Sequence, residues 1–181
     1  MNIANMVTLW RICLVPVIIL LVLERQMELA FWVTLAAAVS DAVDGIIAKQ
    51  FNMQTTLGAY LDPIADKALL VSLYIALGYE GFLPAWLVVL VVFRDVLIIS
   101  GALLFHTLTL SLEMRPLKIS KINTATQLFL GVWVLGSEAF GIYTKIIIEP
   151  FIYGTALTTV ISGAYYVNAW TRRAGEIEKG G

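Results

Sequence analysis

Charge, cysteine and histidine are all scarce in this 181-residue sequence. Asp, Glu, Lys and Arg make up 14% of the chain and apolar residues 60%, where an ordinary soluble domain has about a quarter charged and about half apolar. A chain of this size has too much surface for its volume to hide that apolar fraction. That excludes a soluble globular protein, and disorder, which needs low hydrophobicity and high charge, is excluded with it. Cys13 is the single cysteine, so no internal disulfide framework exists. Cys13 and the single His106 leave no nitrogen and sulfur set for zinc. A net charge of -1 provides no basic stripe and excludes a nucleic-acid partner.

What is present is long apolar runs. A helix needs roughly 20 apolar residues to cross a bilayer, and six candidates fit, near residues 7–24, 29–49, 57–79, 83–107, 121–139 and 147–170. The expected fold is an all-α polytopic membrane protein, one domain over residues 1–181, with six transmembrane helices. Short connections make consecutive spans antiparallel neighbours. The one longer loop, around 108–120, carries Glu113, Arg115, Pro116 and Lys118. Gly78, Gly81 and Pro84 read as turn residues, and the polar tail after Trp170 reads as frayed. Glu24 and Arg25 end the first apolar run well before the small-residue run Ala36–Ala38, so a cleaved signal peptide is not expected. With the N-terminus in the cytoplasm, Arg11, Lys49, Arg115, Lys118, Lys121, Arg172, Arg173 and Lys179 fall on the inner side and Arg25 and Lys145 on the outer. That bias puts both termini in the cytoplasm.

The carboxylates are the anomaly. Of five aspartates, Asp41, Asp44, Asp62 and Asp66 fall within 26 residues in or beside the second and third spans, where a charge costs about 2.5–3.5 kcal/mol on insertion scales. Asp41, Asp44 and Ala48 share one helix face, and Gly58, Asp62 and Asp66 repeat at i, i+4 and i+8 on the next. A short connection near 50–56 lets the two faces meet, opening a polar cavity toward the cytoplasm. Four carboxylates together need a strong counter-charge, and the nearby side-chain cations are Lys49 and Lys67. Hard divalent ions such as Mg²⁺ or Mn²⁺ take all-oxygen ligand sets, and two of them on shared carboxylates suit in-line phosphoryl displacement. Two other readings stand beside this one. Intramembrane carboxylates also serve as helix–helix hydrogen-bond glue, and they line ion or proton pathways in transporters. A pathway spreads its acidic groups through the membrane depth, whereas these crowd one end.

The stretch Asp41-Ala-Val-Asp44-Gly45-Ile-Ile-Ala48-Lys49, eight residues, then Gly58-Ala-Tyr-Leu-Asp62-Pro-Ile-Ala-Asp66 resembles the signature of the CDP-alcohol phosphatidyltransferase family, D-x-x-D-G-x-x-A-R, eight residues, G-x-x-x-D-x-x-x-D. Seven of the eight fixed positions match; Lys49 stands where the family has Arg, keeping the charge and losing the bidentate fork. The opening Asn5-Met-Val-Thr8-Leu-Trp-Arg11 is similar to the family's approach to its first span. The resemblance implies two divalent ions held by Asp41, Asp44, Asp62 and Asp66, with Asp66 also the general base. It implies CDP contacts at Asn5, Thr8, Gly45, Ala48, Lys49 and Gly58, CDP-diacylglycerol as donor, CMP as leaving group, a bacterial inner-membrane location with the active site cytoplasmic, and a homodimer.

The second half bears on the acceptor alcohol. Phe93-Arg94-Asp95-Val96 and Lys118-Ile-Ser120-Lys121-Ile-Asn123-Thr124-Ala-Thr-Gln127 are similar to segments of the family's CMP-forming cardiolipin synthases. That implies phosphatidylglycerol as acceptor, with Arg94, Arg115, Lys118, Lys121 and Asn123 around it. The runner-up acceptor is glycerol 3-phosphate, a small dianion that should need several cations. Arg94-Asp95 also reads as a structural intramembrane pair.

Overall fold

The computed structural model describes residues 3–50, 56–109, 118–142 and 145–180, with side chains for 9–40, 65–101, 119–142 and 147–172. The described residues form six helices and no strand: α1 (Ile3–Leu23), α2 (Met27–Gln50), α3 (Thr56–Tyr79), α4 (Ala85–Thr109), α5 (Lys118–Ala139) and α6 (Lys145–Gly180). Among the described residues, one stretch, Ile147–Arg172 of α6, is long and apolar enough to cross a membrane by length and composition, and Leu9–Leu23 and Met27–Ser40 are shorter apolar stretches.

Two boundaries differ from expectation. Helix α5 begins at Lys118, taking in residues assigned to the loop, and α6 continues past Trp170 to Gly180. Arg172, Arg173, Ala174, Glu176, Glu178 and Lys179 all have good helix propensity, so the polar tail prolongs the helix. Gly78 also lies inside α3; the turn begins after it.

Three chain reversals end their helices alike. After α1, the N–H of Gln26 bonds the carbonyl of Leu21 at 2.9 Å and that of Arg25 bonds Val22 at 3.0 Å. After α3, Phe82 bonds Leu77 at 2.9 Å and Gly81 bonds Gly78 at 3.2 Å; after α5, Ile142 bonds Ser137 at 2.9 Å. These bonds satisfy carbonyls that a helix end leaves open, and they require one residue in the left-handed region. Gly81 (φ 80°) and Gly141 (φ 63°) supply it at α3 and α5, but Arg25 (φ 57°) does so at α1. The Arg25 Nε donates to Glu80 at 2.9 Å, joining the first reversal to the second.

The helices do not pack in chain order. Among the described residues, α1 contacts α2 and α3, α3 contacts α4, α4 contacts α6, α6 contacts α5, and α5 contacts α2, which closes a ring. Helices α3 and α5 also touch each other across it. Contacts between non-consecutive helices thus carry much of the packing, and the expected approaches of α2 to α3 and of α4 to α5 fall at residues outside those described. The shared pair divides the bundle into two four-helix compartments, α1–α2–α5–α3 and α3–α4–α6–α5.

The interior between them is apolar. Ile18 and Val22 of α1, Leu73 and Leu77 of α3, Leu87 and Val91 of α4, and Leu130, Val134 and Leu135 of α5 are buried together. Tyr74 is buried among them, and its hydroxyl donates to the Gln127 carbonyl at 2.9 Å. Small residues set the approach: a Cβ on Gly131 would lie 2.9 Å from Leu73 Cδ2 where α5 crosses α3, and one on Gly101 would fall within the Trp170 ring where α4 meets α6. Gly101→Leu is accordingly expected to cost about 1–3 kcal/mol by overpacking, read as a lowered unfolding midpoint of the detergent-solubilised protein.

Candidate active site

The family-like signature falls on two helix segments. Asp41 and Asp44 lie in α2, nine and six residues from its end, and Asp62 and Asp66 lie in α3, six and ten residues from its start. At 1.5 Å per residue these positions are about 9–15 Å inside the bundle. The side chains of Asp41, Asp44, Asp62, Asn5, Thr8, Lys49 and Lys118, like Gly45, Ala48 and Gly58, lie outside the described residues, and so does Arg115.

Asp66 is described, and it faces the first compartment. Its carboxylate forms an ion pair with Arg11, a cation carried across from α1. Arg11 is 4% exposed, whereas the Asp66 side chain is 37% exposed, so the guanidinium is sealed and the carboxylate remains reachable. Both line a cavity of about 60 Å³ with Ala37 and Ala38 of α2, Leu69 and Leu70 of α3, and Thr124 and Leu128 of α5. Two alanines on the α2 wall keep that space open. It has room for a hydroxyl group and a few waters.

Lys67 faces the other way. Neighbours on a helix point about 100° apart, so Lys67 projects into the second compartment, where its Nζ lies 2.7 Å from Asp95 Oδ1 on α4. Asp66 is thus paired with Arg11 of α1, and Lys67, one of the two cations nearest the aspartate cluster in sequence, is paired with Asp95 of α4. Asp95 also accepts from Arg94 Nη1 at 2.7 Å. Arg94 Nη2 reaches the Ser120 hydroxyl at 2.8 Å and the Ser162 hydroxyl, and its guanidinium carbon stands 5.9 Å from the Tyr166 ring centroid. One arginine thus ties α4 to α5 and α6.

Below it, Asn123 is fully buried, with the Thr158 and Thr159 hydroxyls each 2.9 Å from its Oδ1. Arg94 and Asn123 sit together in this compartment, while Lys121, two residues before Asn123 and so on the opposite face of α5, is exposed. Among the described residues, Asp95 Oδ2 and Asn123 Nδ2 are buried without a hydrogen-bond partner.

The sequence reading passed over Arg11 as the partner of Asp66, although its depth in α1 marks it as a charge that needs one. It also missed the polar stripe of the second compartment. Ser120, Asn123 and Gln127 on α5 and Thr155, Thr159 and Ser162 on α6 recur at helical spacing, and facing stripes of that kind are the signature of interhelical hydrogen bonding.

A family profile described as CDP-alcohol phosphatidyltransferase matches residues 1–162. The chain is 33% identical over 195 residues to the CMP-forming cardiolipin synthase of Rattus norvegicus, covering 99% of this chain and 64% of that protein. The Homo sapiens CMP-forming cardiolipin synthase is 33% identical over 181 residues, with 91% and 60% covered. A CDP-diacylglycerol–glycerol-3-phosphate 3-phosphatidyltransferase of Rickettsia typhi is 33% identical over 175 residues, with 93% and 96% covered. The chain thus spans about three fifths of the length of the two cardiolipin synthases and nearly all of the Rickettsia protein. With the aspartate signature carried on α2 and α3 and a profile match over most of its length, the chain belongs to the CDP-alcohol phosphatidyltransferase family.

Proposed function

We propose that this protein transfers the phosphatidyl group of CDP-diacylglycerol to a hydroxyl of phosphatidylglycerol, giving cardiolipin and CMP. The observation that carries the reading is Asp66, a reachable carboxylate at a small cavity, standing at the last position of the family signature.

The acceptor hydroxyl gives its proton to the Asp66 carboxylate while its oxygen attacks the lipid-side phosphorus. The bond from that phosphorus to the bridging oxygen breaks, and the bridging oxygen leaves with CMP. Asp66 suits this role because its side chain is reachable from the cavity, within the reach a general base needs. Arg11 orients the carboxylate from the sealed side of α1. The donor set fits a hard cation, since all four signature residues offer carboxylate oxygen. Asp41, Asp44, Asp62 and Asp66 would hold Mg²⁺ or Mn²⁺, which when bound neutralises the pyrophosphate and the charge developing on the leaving group. Asn5, Thr8, Gly45, Ala48, Lys49 and Gly58 would contact the CDP moiety, and Arg115, Lys118 and Lys121 the acceptor.

The protein in this reading is one domain with six spans and both termini on the cytoplasmic face of an inner membrane, and it works as a homodimer. Ser120 and Asn123, in the segment similar to cardiolipin synthases, support phosphatidylglycerol as acceptor. Glycerol 3-phosphate is the second reading, favoured by the nearly full-length match to the Rickettsia typhi phosphatidyltransferase.

Purified protein with CDP-diacylglycerol and Mg²⁺ or Mn²⁺ is expected to release CMP when phosphatidylglycerol is supplied and to stop when the metal is chelated. Turnover with glycerol 3-phosphate alone would overturn the acceptor assignment and leave the family chemistry intact. Ion flux into liposomes without any CMP release would replace the enzyme by a transporter.

A further inference from the structure

We infer that Lys67 is a positioning residue: its ion pair with Asp95 fixes the rotation of α3 about its own axis and so aims Asp66 into the first compartment. The inference rests on the reading of Asp66 as the base of the proposed transfer.

Asp66 and Lys67 are adjacent in sequence, and their pairs run to different helices. Asp66 is held by Arg11 of α1, Lys67 by Asp95 of α4 at 2.7 Å. Helices α1 and α4 flank α3 without contacting each other among the described residues. The two ion pairs therefore resist rotation of α3 in opposite senses. A group about 6 Å from a helix axis moves about 1 Å when the helix turns by about 10°, and a misplacement of about 1 Å can cost about a hundredfold in rate.

Neutralisation alone does not account for Lys67. Asp95 already has Arg94 at 2.7 Å, so the compartment holds two cations for one carboxylate. Nor does stability require it, because an apolar side chain of similar volume often does as well as a buried ion pair. What an apolar side chain lacks is direction, and fixing register is the best-attested use of such pairs.

The same surplus makes the test clean. Lys67→Met leaves Asp95 paired with Arg94 and leaves the bonds of Arg94 to Ser120 and Ser162 in place. Wild type, Lys67→Met and Lys67→Arg are compared for unfolding midpoint and for kcat and KM in CMP release. The expected result for Lys67→Met is a wild-type midpoint, a kcat lower by about 10- to 100-fold and a KM for CDP-diacylglycerol within about twofold, with Lys67→Arg restoring most of kcat.

A wild-type kcat in Lys67→Met overturns the inference. So does a raised KM at unchanged kcat, which would place Lys67 on the substrate, and so does a lowered midpoint that accounts for the lost activity. A Lys67→Arg variant no better than Lys67→Met overturns it as well. Absence of CMP release from the wild type in the same assay overturns the proposed function, and this inference falls with it.

Discussion

Asp66→Asn is expected to lower kcat for CMP release by about a thousandfold, within the range that a positioned base contributes. Asparagine keeps the shape and one acceptor oxygen for Arg11 but cannot take a proton from the acceptor hydroxyl. The variant also takes a carboxylate away from the guanidinium of Arg11, which is nearly sealed from solvent. Some loss of stability is therefore expected alongside the loss of turnover, and the two must be separated. The double variant Arg11→Met with Asp66→Asn does this: it removes both members of the ion pair and should recover part of the unfolding midpoint while staying inactive. Recovery of activity with stability would show that Asp66 matters only as the partner of Arg11. Full activity in Asp66→Asn alone would remove it as the base.

Asp95→Asn is expected to be the most damaging substitution for stability. Two cations converge on one oxygen of this carboxylate, and Arg94 is 3% and Asp95 2% exposed. Removing one partner of a buried pair costs about 3–5 kcal/mol because the other charge remains without compensation. Here Lys67 and Arg94 would also repel each other. The measurement is the unfolding midpoint in detergent, together with the yield of folded protein. Adding Lys67→Met to Asp95→Asn should recover part of the loss by removing one of the two cations. If the double variant is as unstable as the sum of its parts, the two sites are energetically independent, and the convergence on Asp95 carries no coupling.

The helices were legible because each is a long apolar run with polar punctuation, and the observed boundaries of α2, α3 and α4 fall close to those read from the sequence. The packing order was not. In a soluble bundle the apolar stripe of each helix points to its neighbours. Here both the interior and the outer surface are apolar: Leu73 and Leu87 are buried, while Val89, Leu157 and Val160 are exposed. Hydrophobic pattern therefore says little about which helix meets which, and the glycines and hydroxyls that decide it, such as Gly101 and Ser162, resemble ordinary filler in sequence. The candidate site was legible as a motif with fixed spacing. The pairing of Asp66 with Arg11 was not, because 55 residues separate them and their meeting depends on α1 packing against α3.

The three capped reversals end α1, α3 and α5 remote from the signature aspartates, over the short stretches 24–26, 80–84 and 140–142. Because the bonds that form each reversal run between main-chain atoms, these three helix ends depend on the backbone conformation at Arg25, Gly81 and Gly141 and not on the side chains that line the bundle.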